Sequence, residues 1–243
     1  PDGTDANDGT DAPAPSTGPT DAPTAPPTTG AVSRSTSVGD TRLPSLGSAD
    51  VDVERYDVRL RYEPDARRFD GEVTVTGTFV ATTDRLALDA GGPDVRSVTV
   101  DGADAAFDRR DRELLVVLDA PRATGERFVA SVSFSSTVGA DVDPITAAGL
   151  FPGLSGDGVW SVNEPDGAST WLPVNDHPTD KATWTFEITV PDGLTAVANG
   201  AFLGSASADG GVTWTWGQSE PMAPYLITLL VGDYELVDGG TST

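Results

Sequence analysis

Trp160–Val190 reads WSVNEPDGASTWLPVNDHPTDKATWTFEITV and changes character part-way along. Its first part is irregular and polar, with prolines at Pro165, Pro173 and Pro178. Its last part alternates: apolar Trp184, Phe186, Ile188 and Val190 are separated by Thr185, Glu187 and Thr189. A period of two describes a strand with one face buried and one face wet. The segment ahead of it is too rich in Pro, Asn and Asp for helix or ladder hydrogen bonds, and Trp160, Trp171 and Trp184 bracket it. It is expected to be a loop of fixed shape on a β scaffold, which is where sites commonly sit.

The same period recurs upstream. Tyr56, Val58, Leu60 and Tyr62 alternate with Asp57, Arg59 and Arg61; Glu63-Pro64-Asp65 turns the chain, and Val73, Val75 and Phe79 mark the returning strand of an antiparallel hairpin. Further strands are expected over 84–89, 95–100, 112–118 and 127–135, with turns at Gly91-Gly92-Pro93, Asp101-Gly102 and Thr124-Gly125. Residues 139–158 lose the alternation. Downstream, Asn199-Gly200 is a hairpin signal, Val212, Trp214 and Trp216 continue the period, and the apolar run Tyr225–Val231 predicts a central strand buried on both faces. There is neither an amphipathic helix nor an internal repeat. The fold class is therefore all-β, a large sheet or sandwich.

Composition sets the limits. With 243 residues the chain can hold one large domain plus a tail. A net charge of −23 disfavours nucleic acid and anionic membrane surfaces as partners. Residues 1–30 contain only Pro, Thr, Ala, Asp, Gly, Ser and Asn, with nothing large and apolar to bury. Such a segment is expected to be a disordered linker reaching to residue 50, with folded structure from Val51. It resembles a spacer behind a signal peptide or lipid anchor, so an extracytoplasmic location is expected, and the start at Pro1 suggests that an upstream segment has been removed. No apolar run approaches the roughly 18 residues of a membrane span.

Most catalytic inventories fail. There is no cysteine, so disulfides, thiolate nucleophiles and Cys-held metals are excluded. His177 is the only histidine, which excludes HExxH and any site needing two imidazoles. No GxSxG elbow exists, and His177 beside Asp176 reads as a surface hydrogen-bonder. With 38 acidic residues, no carboxylate pair stands out.

Four motifs in order carry a resemblance. Tyr56 to Leu60 with Phe69-Asp70-Gly71-Glu72-Val73, then Glu164 ahead of Leu172-Pro173-Val174-Asn175-Asp176-His177-Pro178 and Lys181-Ala182, then Ala198-Asn199-Gly200, then Pro221 to Leu226 before Val231-Gly232-Asp233-Tyr234-Glu235. Together they resemble the N-terminal β domain of the aminopeptidase N family, zinc exopeptidases related to leukotriene A4 hydrolase. The resemblance covers roughly residues 51–238 and implies a saddle-like β sandwich of antiparallel and mixed strands. It also implies that a zinc-bearing catalytic domain, absent here, follows a connection begun by residues 239–243. This chain then holds no metal or cofactor and is inactive alone.

The resemblance assigns Glu164 to the α-amine of a peptide substrate, where a carboxylate facing an ammonium in a water-poor pocket makes a strong charge-assisted bond. It leaves Pro173, Asp176, Pro178 and Lys181 as structural loop residues, with Asp176 able to accept backbone N–H groups. Val162, Ser169 and Val174 depart from the Gln, Arg and Cys of many members. The alternatives are a free-standing extracellular sandwich that binds glycan or protein through Trp171, Trp214 and Trp216, and a zinc-free scaffold derived from the family.

Overall fold

The alternation of apolar residues lines up across strands as continuous rows. Trp216, Phe186, Val58, Val73, Val132 and Val98 stand side by side on six neighbouring strands, each strand in register with the next. All six are buried. The row on the opposite face, Thr215, Glu187, Arg59, Glu72, Ser133 and Ser97, is polar. Arg59 sits between two carboxylates there, 3.0 Å from Glu187 and 3.4 Å from Glu72. One face of the sheet is thus core and the other is water-facing.

The structure, a computed structural model, describes residues 33–140, 148–153, 156 and 158–237. The expected linker over residues 1–32 and the expected connection over 239–243 lie outside the described residues. In chain order the strands begin with β1 (Val51–Glu63), β2 (Arg68–Phe79), β3 (Thr83–Asp89), β4 (Asp94–Val100) and β5 (Ala103–Asp104). There follow β6 (Phe107–Arg110), β7 (Glu113–Arg122), β8 (Arg127–Thr137), β9 (Gly149–Pro152) and β10 (Val159–Val162). The last are β11 (Ala182–Val190), β12 (Thr195–Ala198), β13 (Ala201–Ala208), β14 (Gly211–Met222) and β15 (Leu229–Gly232). Among the described residues, helix is confined to single 3-10 turns such as Ala168–Thr170.

Eight strands form the main sheet in the order β13-β14-β11-β1-β2-β8-β4-β5, in which β1 and β11 run parallel. A four-stranded sheet, β12-β15-β10-β9, and a three-stranded one, β3-β7-β6, complete the fold. A single core joins all three: Val58 and Phe134 of the main sheet, Leu114 and Val116 of the three-stranded sheet, and Val159 and Val231 of the four-stranded sheet. The chain is an all-β sandwich, as the pattern predicts.

Three expectations need revision. The strands flanking Asn199-Gly200 do not pair: β12 pairs with β15 and β13 with β14, so the chain crosses from one sheet to another. Asn199 secures that crossing through its side chain, which donates to Leu226 O at 3.1 Å and accepts from Thr228 N at 2.6 Å. Gly200 has φ +91°, and a Cβ there would lie 2.0 Å from Gly217 O. Gly200→Ala is expected to cost more than about 2 kcal/mol in urea unfolding, since both the backbone and the space oppose it.

Second, the apolar run Tyr225–Val231 is not one strand. Pro224–Leu226 is a 3-10 turn with Leu226 exposed, and only Leu229–Gly232 is extended. Third, residues 33–50, grouped by composition with the linker, lie on the domain. Leu46, Ser48 and Asp50 are buried, and Asp50 accepts from Ser33 Oγ and Ser35 N at 2.5 and 2.8 Å. Short polar side chains there satisfy buried backbone groups, a role that composition conceals.

Candidate functional site

The loop between β10 and β11 is held by buried polar groups rather than by ladder bonds. Asn163 begins it: its amide donates to Ile227 O at 2.5 Å and its Oδ1 accepts from the Trp171 indole at 2.8 Å. Trp171 is thereby fixed at 2% exposure. Asp176 Oδ2 accepts from Ser169 N at 2.9 Å, which closes the 3-10 turn onto the following segment. Asp89, at the end of β3, accepts from Asp176 N at 2.7 Å and from Gly47 N at 3.1 Å.

Asn175 is the hub of the loop's other end. Its N–H donates to the Tyr56 hydroxyl at 2.9 Å, its Oδ1 accepts from Ser48 N at 2.6 Å, and its amide donates to Asp180. Asp180 also accepts from Val53 N at 3.1 Å. Tyr56→Phe removes one buried acceptor and is expected to cost about 1–3 kcal/mol, read by urea unfolding. A neutral result would mean that Asn175 N–H finds another acceptor.

Burial dominates the electrostatics here. It pushes the Asp176 carboxyl from 3.8 up to about 7, with the neighbouring Asp89 carboxylate adding in the same direction. Asp180 is likewise raised by burial to about 6, against the bonds from Asn175 and Val53. Asp89 and Glu113 are both raised, chiefly by burial, and the neighbouring Asp89 carboxylate raises Glu113 further.

The sequence-predicted residues separate into two groups. Pro173 and Asp176 are buried and Pro178 is half-buried. Lys181 is exposed at the threshold of β11, outside this buried set. His177 is not on the surface: it is 3% exposed, with Nδ1 2.7 Å from Thr179 Oγ1 and Nε2 3.6 Å from Asp40 Oδ2. Residues 33–50 cover it, which is why its loop context misleads. Trp171, Trp214 and Trp216 do not form an exposed platform: Trp171 and Trp216 are buried, Trp214 is half-buried against the core, and the Trp216 indole donates to Ala196 O at 3.0 Å.

Glu164 differs from the buried residues of the loop. It is exposed, follows buried Asn163, and is joined to Pro165 by a cis peptide bond. Along the chain it continues the outward alternation of Trp160 and Val162, both partly exposed. Trp160 stands in a row with Phe151 on one side and Leu230 and Val197 on the other, so the outer face of the four-stranded sheet is apolar as well. The inner row, Val159, Val231 and Ala196, is buried in the core.

The family model for the peptidase M1 N-terminal domain matches residues 52–226. The chain belongs to that family. The loop carrying Glu164 lies within the matched region. An M1 zinc metallopeptidase from Deinococcus radiodurans shares the fold at TM-score 0.73 and 33% identity, over 81% of this chain and 45% of that one. Yeast LTA4 hydrolase in complex with bestatin superposes at TM-score 0.62 and 26% identity, over 76% of this chain and 29% of that one. Among curated relatives, probable aminopeptidase 1 of Saccharolobus solfataricus is 23% identical over 184 residues, 75% of this chain. Aminopeptidase M1-C of Oryza sativa is 26% identical over 210 residues, 84% of this chain. The chain spans only 22% and 23% of those two proteins and corresponds to their N-terminal domain.

The family is one of zinc metallopeptidases, and the described residues of this domain do not fit a zinc site. No group of three or more His, Cys, Asp or Glu among the described residues is arranged to hold a metal. Asp176 and Asp180 of the loop, and Asp89 beside it, are instead engaged with backbone N–H groups.

Sequence reasoning missed Asn163, Asp89, Asn175, Asp180 and Arg112 as parts of this loop's framework. Only Asp89 offered a signal: an acidic residue at the buried end of an apolar strand, just before Ala90-Gly91-Gly92.

Proposed function

We propose that this chain is the substrate-anchoring β domain of a zinc-dependent aminopeptidase that removes amino-terminal residues from peptides, and that Glu164 binds the substrate's α-amine. The observation that carries the reading is the contrast within one loop. Asp176 and Asp180 are buried and bonded to backbone groups, whereas Glu164 alone is held out to solvent from a rigid base. A carboxylate presented from such a base meets an ammonium with a charge-assisted hydrogen bond that a neutral amide does not match. The apolar face of Phe151, Trp160, Leu230 and Val197 beside it supports packing against a catalytic domain, which supplies the zinc and the activated water. On this reading the chain alone is inactive. The low-complexity composition of residues 1–30 supports an extracytoplasmic location, secreted or held by an upstream anchor.

The test joins the domain to its catalytic partner and measures release of amino acids from aminoacyl anilides. Glu164→Ala is expected to lower kcat/KM roughly 100-fold, about 2.7 kcal/mol of lost transition-state stabilisation. Unchanged constants for Glu164→Ala would remove Glu164 from the site.

A further inference from the structure

We propose that Arg112 is the positioning residue for Glu164, reaching from the three-stranded sheet to fasten the turn that carries it. This rests on the anchoring role given to Glu164 above. Arg112 lies between β6 and β7, more than fifty residues from the loop it touches. One nitrogen, Nη2, donates to Asp166 O at 2.9 Å and to Ser169 Oγ at 2.8 Å, while Nη1 lies 3.3 Å from Asp166 Oδ2. These three contacts grip both ends of the segment 166–169. Glu164 is two residues upstream, separated from that grip only by Pro165.

The guanidinium suits this place for electrostatic and geometric reasons. Asp89, Glu113 and Asp176 all feel its charge, and Asp166 pairs with it directly. It is a cation set among four carboxyls, and its planar fork spans a carbonyl, a hydroxyl and a carboxylate at once. Its stem is braced: the Gly91 backbone lies so near that a Cβ there would be 3.2 Å from Arg112 Cγ. The turn containing Gly91 is itself clamped by Arg109, whose guanidinium donates to the carbonyls of Ala90, Gly91 and Pro93. Gly92 N also donates to Ser169 O at 3.3 Å. Two arginines of one hairpin therefore tie the turn at 90–93 and the turn at 166–169 into one rigid piece. Ser169, one of the departures from the family pattern, is the residue whose hydroxyl receives Arg112.

The experiment follows local opening and substrate affinity separately. In the 243-residue chain, hydrogen exchange at the Gly167 and Ser169 amides is expected to quicken about tenfold or more in Arg112→Gln. The effect should be smaller in Arg112→Lys, which keeps the charge but not the fork, and amides of β1 and β2 should keep their rates. Unchanged exchange at both loop amides, or equal acceleration throughout the chain, overturns the positioning role. In the completed peptidase, Arg112→Gln is expected to raise KM about threefold to tenfold with kcat held, and Arg112→Lys to recover part of that loss. A loosened loop with unchanged KM overturns the positioning of Glu164 by Arg112, whereas unchanged constants in Glu164→Ala overturn the anchoring role itself, so the two failures are distinguishable.

Discussion

The unfolding free energy of this chain is expected to fall as pH rises from about 4 to about 8, by about 4 kcal/mol from Asp176 alone. Asp176 is buried, and its carboxyl is raised from 3.8 to about 7 in the folded state. Between those values the native chain holds a proton that the unfolded chain has released. Stability from this group is complete below the unfolded value and is lost as pH passes through the folded one. About three pH units at about 1.4 kcal/mol each give the figure. Asp180 acts in the same sense up to about 6, and Asp89 and Glu113 share the direction. Self-repulsion of a chain carrying −23 adds to it. Below about pH 4 the trend reverses, because Asp84 and Asp108 are held low by hydrogen bonds from Arg34 and Arg110 and lose those partners on protonation. Urea unfolding at a series of pH values checks the profile. Asp176→Asn keeps an acceptor for Ser169 N and is expected to flatten it; a wild-type profile already flat between about 4 and 8 would show these carboxyls ionised at no cost.

Trp184→Ala is expected to destabilise the domain by about 4–5 kcal/mol and to loosen the loop with it. The indole is 2% exposed and stacks on Tyr56 with ring centroids 4.0 Å apart and planes 11° from parallel. Its N–H donates to Met222 O at 3.0 Å, so truncation leaves a cavity and one buried carbonyl without its donor. Tyr56 then loses the surface that holds its hydroxyl against Asn175 N. Trp184→Phe keeps the stack and is expected to cost about 1–2 kcal/mol. Urea unfolding and near-ultraviolet circular dichroism follow the two effects. A loss below about 1 kcal/mol for the alanine variant would show that neighbouring side chains refill the space.

Strand identity was legible because side-chain alternation and sheet burial share one period. Tyr56, Val58 and Leu60 face inward, as do Trp184, Phe186 and Ile188, and no other arrangement buries both sets. Pairing was less legible. Asn199-Gly200 fits a hairpin turn, yet the preference of those residues for positive φ serves equally where a chain crosses between sheets, and Gly200 has φ +91° there. The Tyr225–Val231 run reads as one strand because apolar content says nothing about the turn that Pro224 begins. In the loop, Glu164 was visible through the motif around it, but its supports were not. Arg112, Asp89 and Ser48 come from three distant places in the chain, and each is an ordinary polar residue until the fold brings it to the loop. His177 misled for the same reason in reverse, since what buries it is a segment whose composition resembles a linker.

The parallel pairing of β1 with β11 also sets a timetable for synthesis. Arg59 meets Glu187 across 128 residues of sequence, so β1 leaves the ribosome with β2 as its neighbour and with its other edge bare until β11 has been made. During that interval the middle of the future sheet is an open edge of alternating apolar residues, able to accept an extended segment of another nascent chain. Assembly that depends on so distant a partner is slow by its topology. Misassembly during refolding is therefore expected to begin at β1, with a peptide copy of β11 acting as the competitor that suppresses it.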